Sequence, residues 1–263
     1  MNGYKPIRIV LVGAGNMAWH LGHACSEAGM SIVRILNRSL EKAWDLAVEL
    51  KTNASIDFKS TMPECDFIVV AVKDSAVKEV LRQIQPASGI VLHTSGSHGM
   101  DVFPAEMKKF GVLYPFQSLT KGFETDFNKI PICIEASDGE TLSAIEDFAE
   151  RLSSVVRILS SDQRRKLHLG GIIGNNFTNH LIALTFDYMR KNNLEKELVI
   201  PLLHETIRKL EKLDPVESQT GPARRNDEVI IKMHLELLKN EPELKKLYDW
   251  LTDSIIAYYS KKD

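Results

Sequence analysis

Ile9-Val10-Leu11-Val12-Gly13-Ala14-Gly15-Asn16-Met17-Ala18 is a run of four apolar residues that enters two closely spaced glycines and then a helix-forming stretch. It reads as a strand buried on both faces, a tight turn and the start of a helix, the opening of a βαβ unit. In the spacing G-x-G-x-x-A each small residue has a task. Gly13 permits the turn, Gly15 lets a pyrophosphate approach the backbone, and Ala18 lets the helix pack closely on the strand. The helix N-terminus then offers that anion unpaired N–H groups and the positive end of its dipole. Strand before and helix after are the context in which a glycine pattern indicates a dinucleotide site. Gly13, Gly15, Asn16 and Met17 are therefore the first cofactor-binding candidates.

Short Val- and Ile-rich runs at 7–12, 31–37, 54–58, 67–72, 90–94, 112–114, 131–135 and 155–158 alternate with helical patterns. That alternation predicts an α/β fold, a Rossmann-type, mostly parallel sheet with helices on both faces. Beyond Ser160-Ser161 the pattern turns helical, over 162–190, 194–213, 228–239 and 243–259, so an all-α C-terminal domain is expected. The expected division is 1–160 for the dinucleotide domain and 161–263 for a helical substrate and dimerisation domain. Pro201 starts or kinks a helix, and Thr220-Gly221-Pro222 interrupts the helical run. One very long, largely apolar helix in a domain of this size predicts burial against a second subunit, hence a homodimer through the helical domain.

The second strand ends at Asn37-Arg38-Ser39, where NAD enzymes usually carry a carboxylate for the ribose 2′-hydroxyl. Here Arg38 can pair with a 2′-phosphate, Ser39 can add a hydroxyl and Lys42 a further charge, which favours NADP over NAD. Val72 and Lys73 follow the fourth strand, at the carboxyl edge where cofactor contacts collect.

Composition narrows the partners. Lys plus Arg number 33 against 35 acids, a net charge of −2 that gives no electrostatic reason to expect nucleic acid or a membrane surface. Cys25, Cys65 and Cys133 are odd in number and lack CxxC spacing, so they read as buried apolar residues in a reducing compartment. The opening Met1–Pro6 has no leader pattern and no stretch is apolar enough to span a bilayer; the chain reads as cytoplasmic. His20, His23, His93, His98, His180, His204 and His234 form neither HExxH nor a zinc-finger spacing, so no metal is expected, and His20 and His23 read as the exposed side of the first helix.

Gly13-Ala14-Gly15-Asn16-Met17, Asn37-Arg38-Ser39 and Ala71-Val72-Lys73 together resemble the NADP-binding half of pyrroline-5-carboxylate reductases and deazaflavin-dependent NADP oxidoreductases. The remainder resembles a bacterial family of NADP oxidoreductase-like proteins in which a Rossmann-like domain precedes a helical domain of uncharacterised function. Three motifs carry it: Leu92-His93-Thr94-Ser95-Gly96-Ser97, Leu113-Tyr114-Pro115-Phe116-Gln117-Ser118 and Thr220-Gly221-Pro222-Ala223-Arg224-Arg225-Asn226-Asp227. That family commonly has His-Pro where this chain has Tyr114-Pro115. The resemblance extends to β-hydroxyacid dehydrogenases, whose first long helical-domain helix uses a lysine and an asparagine. In Gly170-Gly171-Ile172-Ile173-Gly174-Asn175-Asn176 the asparagine is kept and the lysine is not.

Hydride transfer needs a group that moves the accompanying proton. His168, Asn175 and Asn179 lie seven and then four residues apart, which on an α-helix places them on one face with Gly171 between. His168 is the first choice of proton donor, since an imidazole exchanges protons near neutral pH. Asn175 or Asn176 would orient a carbonyl or the nicotinamide amide, with Ser95 and Tyr114 as further hydroxyl donors. Arg224 and Arg225 could clamp an anion, and Asp227 could cap the following helix. The expected function is an NADP(H)-dependent oxidoreductase acting on a small carbonyl or imine compound in an interdomain cleft. The competing reading is a dinucleotide-binding sensor or interaction module without catalysis.

Overall fold

Along the first strand, Ile9 and Leu11 join one hydrophobic core while Val10 and Val12 join another. Side chains on a strand alternate between faces, so a run apolar at every position demands cover on both sides. The computed structural model describes residues 6–58, 62–86 and 88–261; Met1–Lys5, read above for a leader, lie outside the described residues. The strands are β1 (Arg8–Val12), β2 (Ser31–Leu36), β3 (Ala54–Ser55), β4 (Phe67–Val70), β5 (Ile90–His93), β6 (Phe110–Pro115), β7 (Ile132–Ala136) and β8 (Val156–Ile158). They form one sheet in the order β3-β2-β1-β4-β5-β6-β7-β8. Every expected strand is present, in the α/β arrangement read from the sequence.

All neighbouring pairs are parallel except β6 with β7. The chain moves outward from β1 to β3, then returns to the other side of β1 to begin β4. Strand order therefore reverses between β1 and β4, the place where open α/β sheets form a crevice beyond their carboxyl ends. Helices α1 (Asn16–Glu27), α2 (Leu40–Glu49), α3 (Asp74–Gln83) and α4 (Gly139–Glu150) supply the cover. Leu21, Leu46 and Phe148 complete the core around Ile9, and Val77 and Leu81 the core around Val10. Phe148 stacks on Phe67 with ring centroids 4.5 Å apart. Cys25, Cys65 and Cys133 are free and buried, as expected of small apolar side chains.

The chain divides into two compact units, 1–174 and 175–263. Helix α5 (Ser161–Gly171) belongs to the first. A capping box starts it, with the Ser160 side chain accepting from the Gln163 amide and Gln163 reaching back to the Ser160 amide. The pattern read as one helix over 162–190 is interrupted by a π-helical stretch, Ile172–Phe177, before α6 (Thr178–Lys191). A π turn holds more residues than the 3.6 of an α-helix. The shared face inferred for His168, Asn175 and Asn179 assumed an unbroken α-helix, so that register does not carry through.

The second unit holds α6, α7 (Ile200–Leu210), the short α8 (Pro215–Ser218), α9 (Glu228–Leu237) and α10 (Pro242–Tyr259). Pro201 sits in the first turn of α7, where its missing N–H costs nothing. Asp227 caps α9, accepting from the Ile230 amide, and Arg224 lies over the Tyr259 ring at 4.8 Å. Leu198, Leu202, Val229 and Trp250 of this unit are all exposed by more than 60%.

Candidate active site

The dinucleotide turn follows β1. Gly13 has φ +123°, and a Cβ there would lie 2.1 Å from the carbonyl oxygen of Ala71, so only glycine fits. Gly15 precedes α1 with nothing within 4 Å of where its Cβ would project. No side chain caps α1, and its first intrahelical bond runs from the Trp19 amide to the Gly15 carbonyl. The amides of Asn16 and Met17 thus have no acceptor within the helix and lie at its uncapped positive end beside the open space at Gly15, a cradle that fits a pyrophosphate. The Asn16 side chain is engaged elsewhere: Nδ2 donates to the Leu119 carbonyl at 2.9 Å and Oδ1 accepts from the Lys121 amide at 3.3 Å. Asn16 therefore offers this cradle its backbone and ties down the segment after β6. His20, expected on the exposed side of α1, is buried and bonded through Nε2 to the Thr120 carbonyl at 2.9 Å, because that same segment covers it; His23 is partly exposed beside Glu49.

At the end of β2, Asn37 donates to the Ser39 carbonyl, and the Ser39 hydroxyl caps α2. Arg38 is exposed and makes no ion pair or side-chain hydrogen bond among the described residues. Val72 packs under the edge beyond β4, and exposed Lys73 precedes α3.

Along the same carboxyl edge, β5 ends at His93 and β6 at Pro115. Tyr114 Oη lies 3.0 Å from His168 Nδ1, joining the end of β6 to α5. Burial pushes the Tyr114 phenol up to about 12, with Cys133 and Asp74 adding to the effect and Arg164 opposing it. The phenol keeps its proton at neutral pH; where it donates to Nδ1, the ring proton of His168 sits on Nε2. Gly96 lies directly against this pair. A Cβ at Gly96 would fall 2.7 Å from both Tyr114 Oη and His168 Nδ1.

Ser95 is occupied within its own turn. Its hydroxyl oxygen accepts from the Ser97 and His98 amides at 3.2 and 3.1 Å and lies 3.2 Å from Ser97 Oγ, which donates to Asp74 at 2.6 Å. Below it, His93 is fully buried and stacked on Phe103, and its Nδ1 accepts from the Ser95 amide at 3.1 Å. Burial, then the charge of Arg164, push the His93 imidazole down to about 3, the Gly99 backbone opposing in part.

Sequence reasoning did not find Arg164. Its side chain is completely buried and pairs with Glu135 of β7, which is 19% exposed. Its Nη2 also donates to the His98 carbonyl at 2.6 Å. In the sequence Arg164-Arg165-Lys166 looks like a solvated basic run, and the signal that singles out Arg164 is its spacing of one helical turn from His168. Asn175 and Asn176 lie in the π-helical stretch, exposed and without a side-chain partner among the described residues. Among those residues no cluster of three or more His, Cys, Asp or Glu could hold a metal ion, and no helix is long and apolar enough to cross a membrane.

Two family patterns match the chain: "NADP oxidoreductase coenzyme F420-dependent" over residues 8–95, and a domain of unknown function, DUF2520, over residues 130–255. A solved structure described as a "putative NADP oxidoreductase" from Bacteroides fragilis is 38% identical, with a TM-score of 0.90, covering 96% of this chain and 98% of that one. A 1-pyrroline-5-carboxylate reductase from Streptococcus pyogenes is 12% identical, with a TM-score of 0.64 and 96% and 99% of the two chains covered. An imine reductase from Myxococcus stipitatus in complex with NADP+ is 13% identical, with a TM-score of 0.59 and 97% and 93% covered. At the last two identities the likeness is one of fold. No curated protein matches the chain.

Two expectations follow from this geometry. Gly13→Ala loses at least about 1 kcal/mol of stability, from strained backbone and overlap with Ala71, whereas Gly15→Ala changes stability by less than about 0.5 kcal/mol but fills the cradle and weakens dinucleotide binding about tenfold or more. Urea unfolding and a fluorescence titration separate the two effects. Because His93 drops from its ordinary 6.5 to about 3 on folding, the unfolded chain binds the extra proton below pH 6.5. Stability from this group is complete above pH 6.5 and falls by about 1.4 kcal/mol per pH unit towards pH 3. Replacing His93 with Gln flattens that slope in urea unfolding as a function of pH, whatever it does to absolute stability.

Proposed function

The chain belongs to the family of the Bacteroides fragilis protein, in which an F420-type NADP oxidoreductase domain is joined to a DUF2520 domain, and from that premise we propose that it is an NADP(H)-dependent oxidoreductase for a small carbonyl or imine compound. The observation that carries the reading is the Tyr114–His168 hydrogen bond at the carboxyl edge of the sheet that also carries the glycine turn. A bound NADPH supplies a hydride. The amides of Asn16 and Met17 would hold its pyrophosphate, and Arg38, with Ser39 and Lys42, would take the 2′-phosphate that distinguishes it from NADH. Val72 and Lys73 border the same edge.

The chain's own part in the chemistry is to place one proton. Tyr114 holds the His168 ring through Nδ1, and the imidazolium form gives its Nε2 proton to the developing oxyanion or amine, returning to the neutral ring, which regains a proton from solvent. Ser95, spent within its turn, acts by holding Gly96 against the pair. Asn175 and Asn176 are amides available to orient a carbonyl or the nicotinamide amide.

Titration of the purified protein with NADP and NAD is the first test. NADP binds at least about tenfold tighter, about 1.4 kcal/mol, and Arg38→Ala removes the difference. With NADPH and a panel of small carbonyl and imine compounds, His168→Gln and Tyr114→Phe lower kcat by about 100-fold or more and leave NADP affinity unchanged. Failure of both dinucleotides at millimolar concentration defeats the reading. Tight NADP binding without turnover of any compound leaves the chain a sensor.

We also propose that a second copy of this chain covers the apolar face of the helical unit, and that the protein is a homodimer. Phe177, Leu198, Leu202 and Trp250 of that unit each have more than half of their surface exposed, a larger apolar display than a monomer usually leaves in water. Sedimentation of the wild-type protein gives a dimer mass and Phe177→Glu a monomer mass; a wild-type monomer at micromolar concentration rejects the proposal.

A further inference from the structure

We propose that Arg164 is a positioning residue for His168. This rests on the reading of His168 as the proton carrier. Arg164 and His168 stand one turn apart on α5, so what fixes the first sets the rotation and height of the second.

Three attachments fix Arg164. Nη1 pairs with Glu135 Oε2, Nη2 donates to the His98 carbonyl at 2.6 Å, and Nη2 reaches Ser161 Oγ at 3.4 Å. Glu135 in turn accepts from the Ser161 amide at 3.0 Å and from the Ser161 hydroxyl at 2.8 Å, so one carboxylate anchors the start of α5 to β7. Through the His98 carbonyl the same guanidinium grips the turn of Ser95, Gly96, Ser97 and His98. A Cβ on Gly96 in that turn would lie 2.7 Å from both Tyr114 Oη and His168 Nδ1. One buried cation therefore locks α5, the end of β7 and the turn that packs on the proton pair.

Stability alone is a poor account of this arrangement. Arg164 Nε has no hydrogen-bond partner, and a buried charge with an unsatisfied donor costs free energy that an apolar side chain of the same size would not. The guanidinium fork, with donors at fixed angles, is suited to holding two acceptors on different elements, which a lysine ammonium does less rigidly.

The tautomer measurement itself needs neither cofactor nor substrate. Imidazole-15N-labelled protein reports the tautomer of each histidine, with the His168 signals assigned by their loss in His168→Gln. In the wild type His168 carries its proton on Nε2 in one predominant tautomer. Tyr114→Phe, which removes the donor to Nδ1, converts it to a mixture and sets the size of the effect. Arg164→Lys and Glu135→Gln, tested by circular dichroism for native helix content, show the same mixture while NADP affinity stays within about twofold of wild type. Glu135→Gln is nearly isosteric and decides the matter alone where Arg164→Lys does not fold. His168 signals identical to wild type in folded Glu135→Gln overturn the proposal. If NADP fails to bind the wild type, the cofactor reading falls, whereas the tautomer measurement still decides whether Arg164 positions His168.

Discussion

The approach of Gly13 to the Ala71 carbonyl is the contact on which the rest of the site depends. With 2.1 Å between that oxygen and the place a Cβ would occupy, the ends of β1 and β4 can lie side by side only because Gly13 has no side chain. The same meeting point is where strand order reverses. The sheet therefore opens its crevice beside the one turn whose amides are left free by α1. A single steric constraint thus locates both the crevice and the anion cradle, and places Val72 and Lys73 at its other lip.

The second determinant is the reversal of polarity at β7. Had β7 run parallel to β6, its end, and the start of α5 after β8, would lie differently with respect to Tyr114. As built, β7 runs back from Ile132 opposite Pro115 to Ala136 opposite Gly111. Helix α5 begins beside Glu135 and reaches Tyr114 two turns later. The antiparallel strand gives α5 its starting point, and the Glu135–Arg164 pair holds it there. Gly111 makes the approach of β7 possible, because a Cβ on it would meet the Glu135 carbonyl at 2.3 Å.

What was legible in the sequence is what local pattern encodes. Continuous apolar runs gave the strands, the G-x-G-x-x-A spacing gave the turn, and the proline and glycine positions gave the breaks between the late helices. Boundaries slipped where pattern and pairing disagree: the strand expected at 112–114 begins at Phe110, because Phe110 pairs with Val91 of β5. The π-helical stretch had no local signal, since Ile172–Phe177 contains neither proline nor a charge. His20 was misread because a segment about 100 residues away covers it, and no window on α1 contains that information. The Tyr114–His168 pair was visible only as two separate candidates, for the same reason. Side chains that meet through tertiary packing leave no spacing in the chain to read.

Two buried side-chain atoms without a hydrogen-bond partner appear among the described residues, His93 Nε2 and Arg164 Nε. Both flank the turn of Ser95 to His98, His93 through the Ser95 amide and Arg164 through the His98 carbonyl. A polar group left unpaired in the interior costs more than its hydrogen bond would have gained, and such losses are rare in a well-satisfied fold. Both therefore lie beside one turn. That turn carries Gly96, whose missing side chain makes room for the Tyr114–His168 pair. Places where a sequence breaks its own local rules are the places where function constrains it. Here the buried charge of Arg164, one turn before His168, and the missing side chain of Gly96 both bear on the same imidazole.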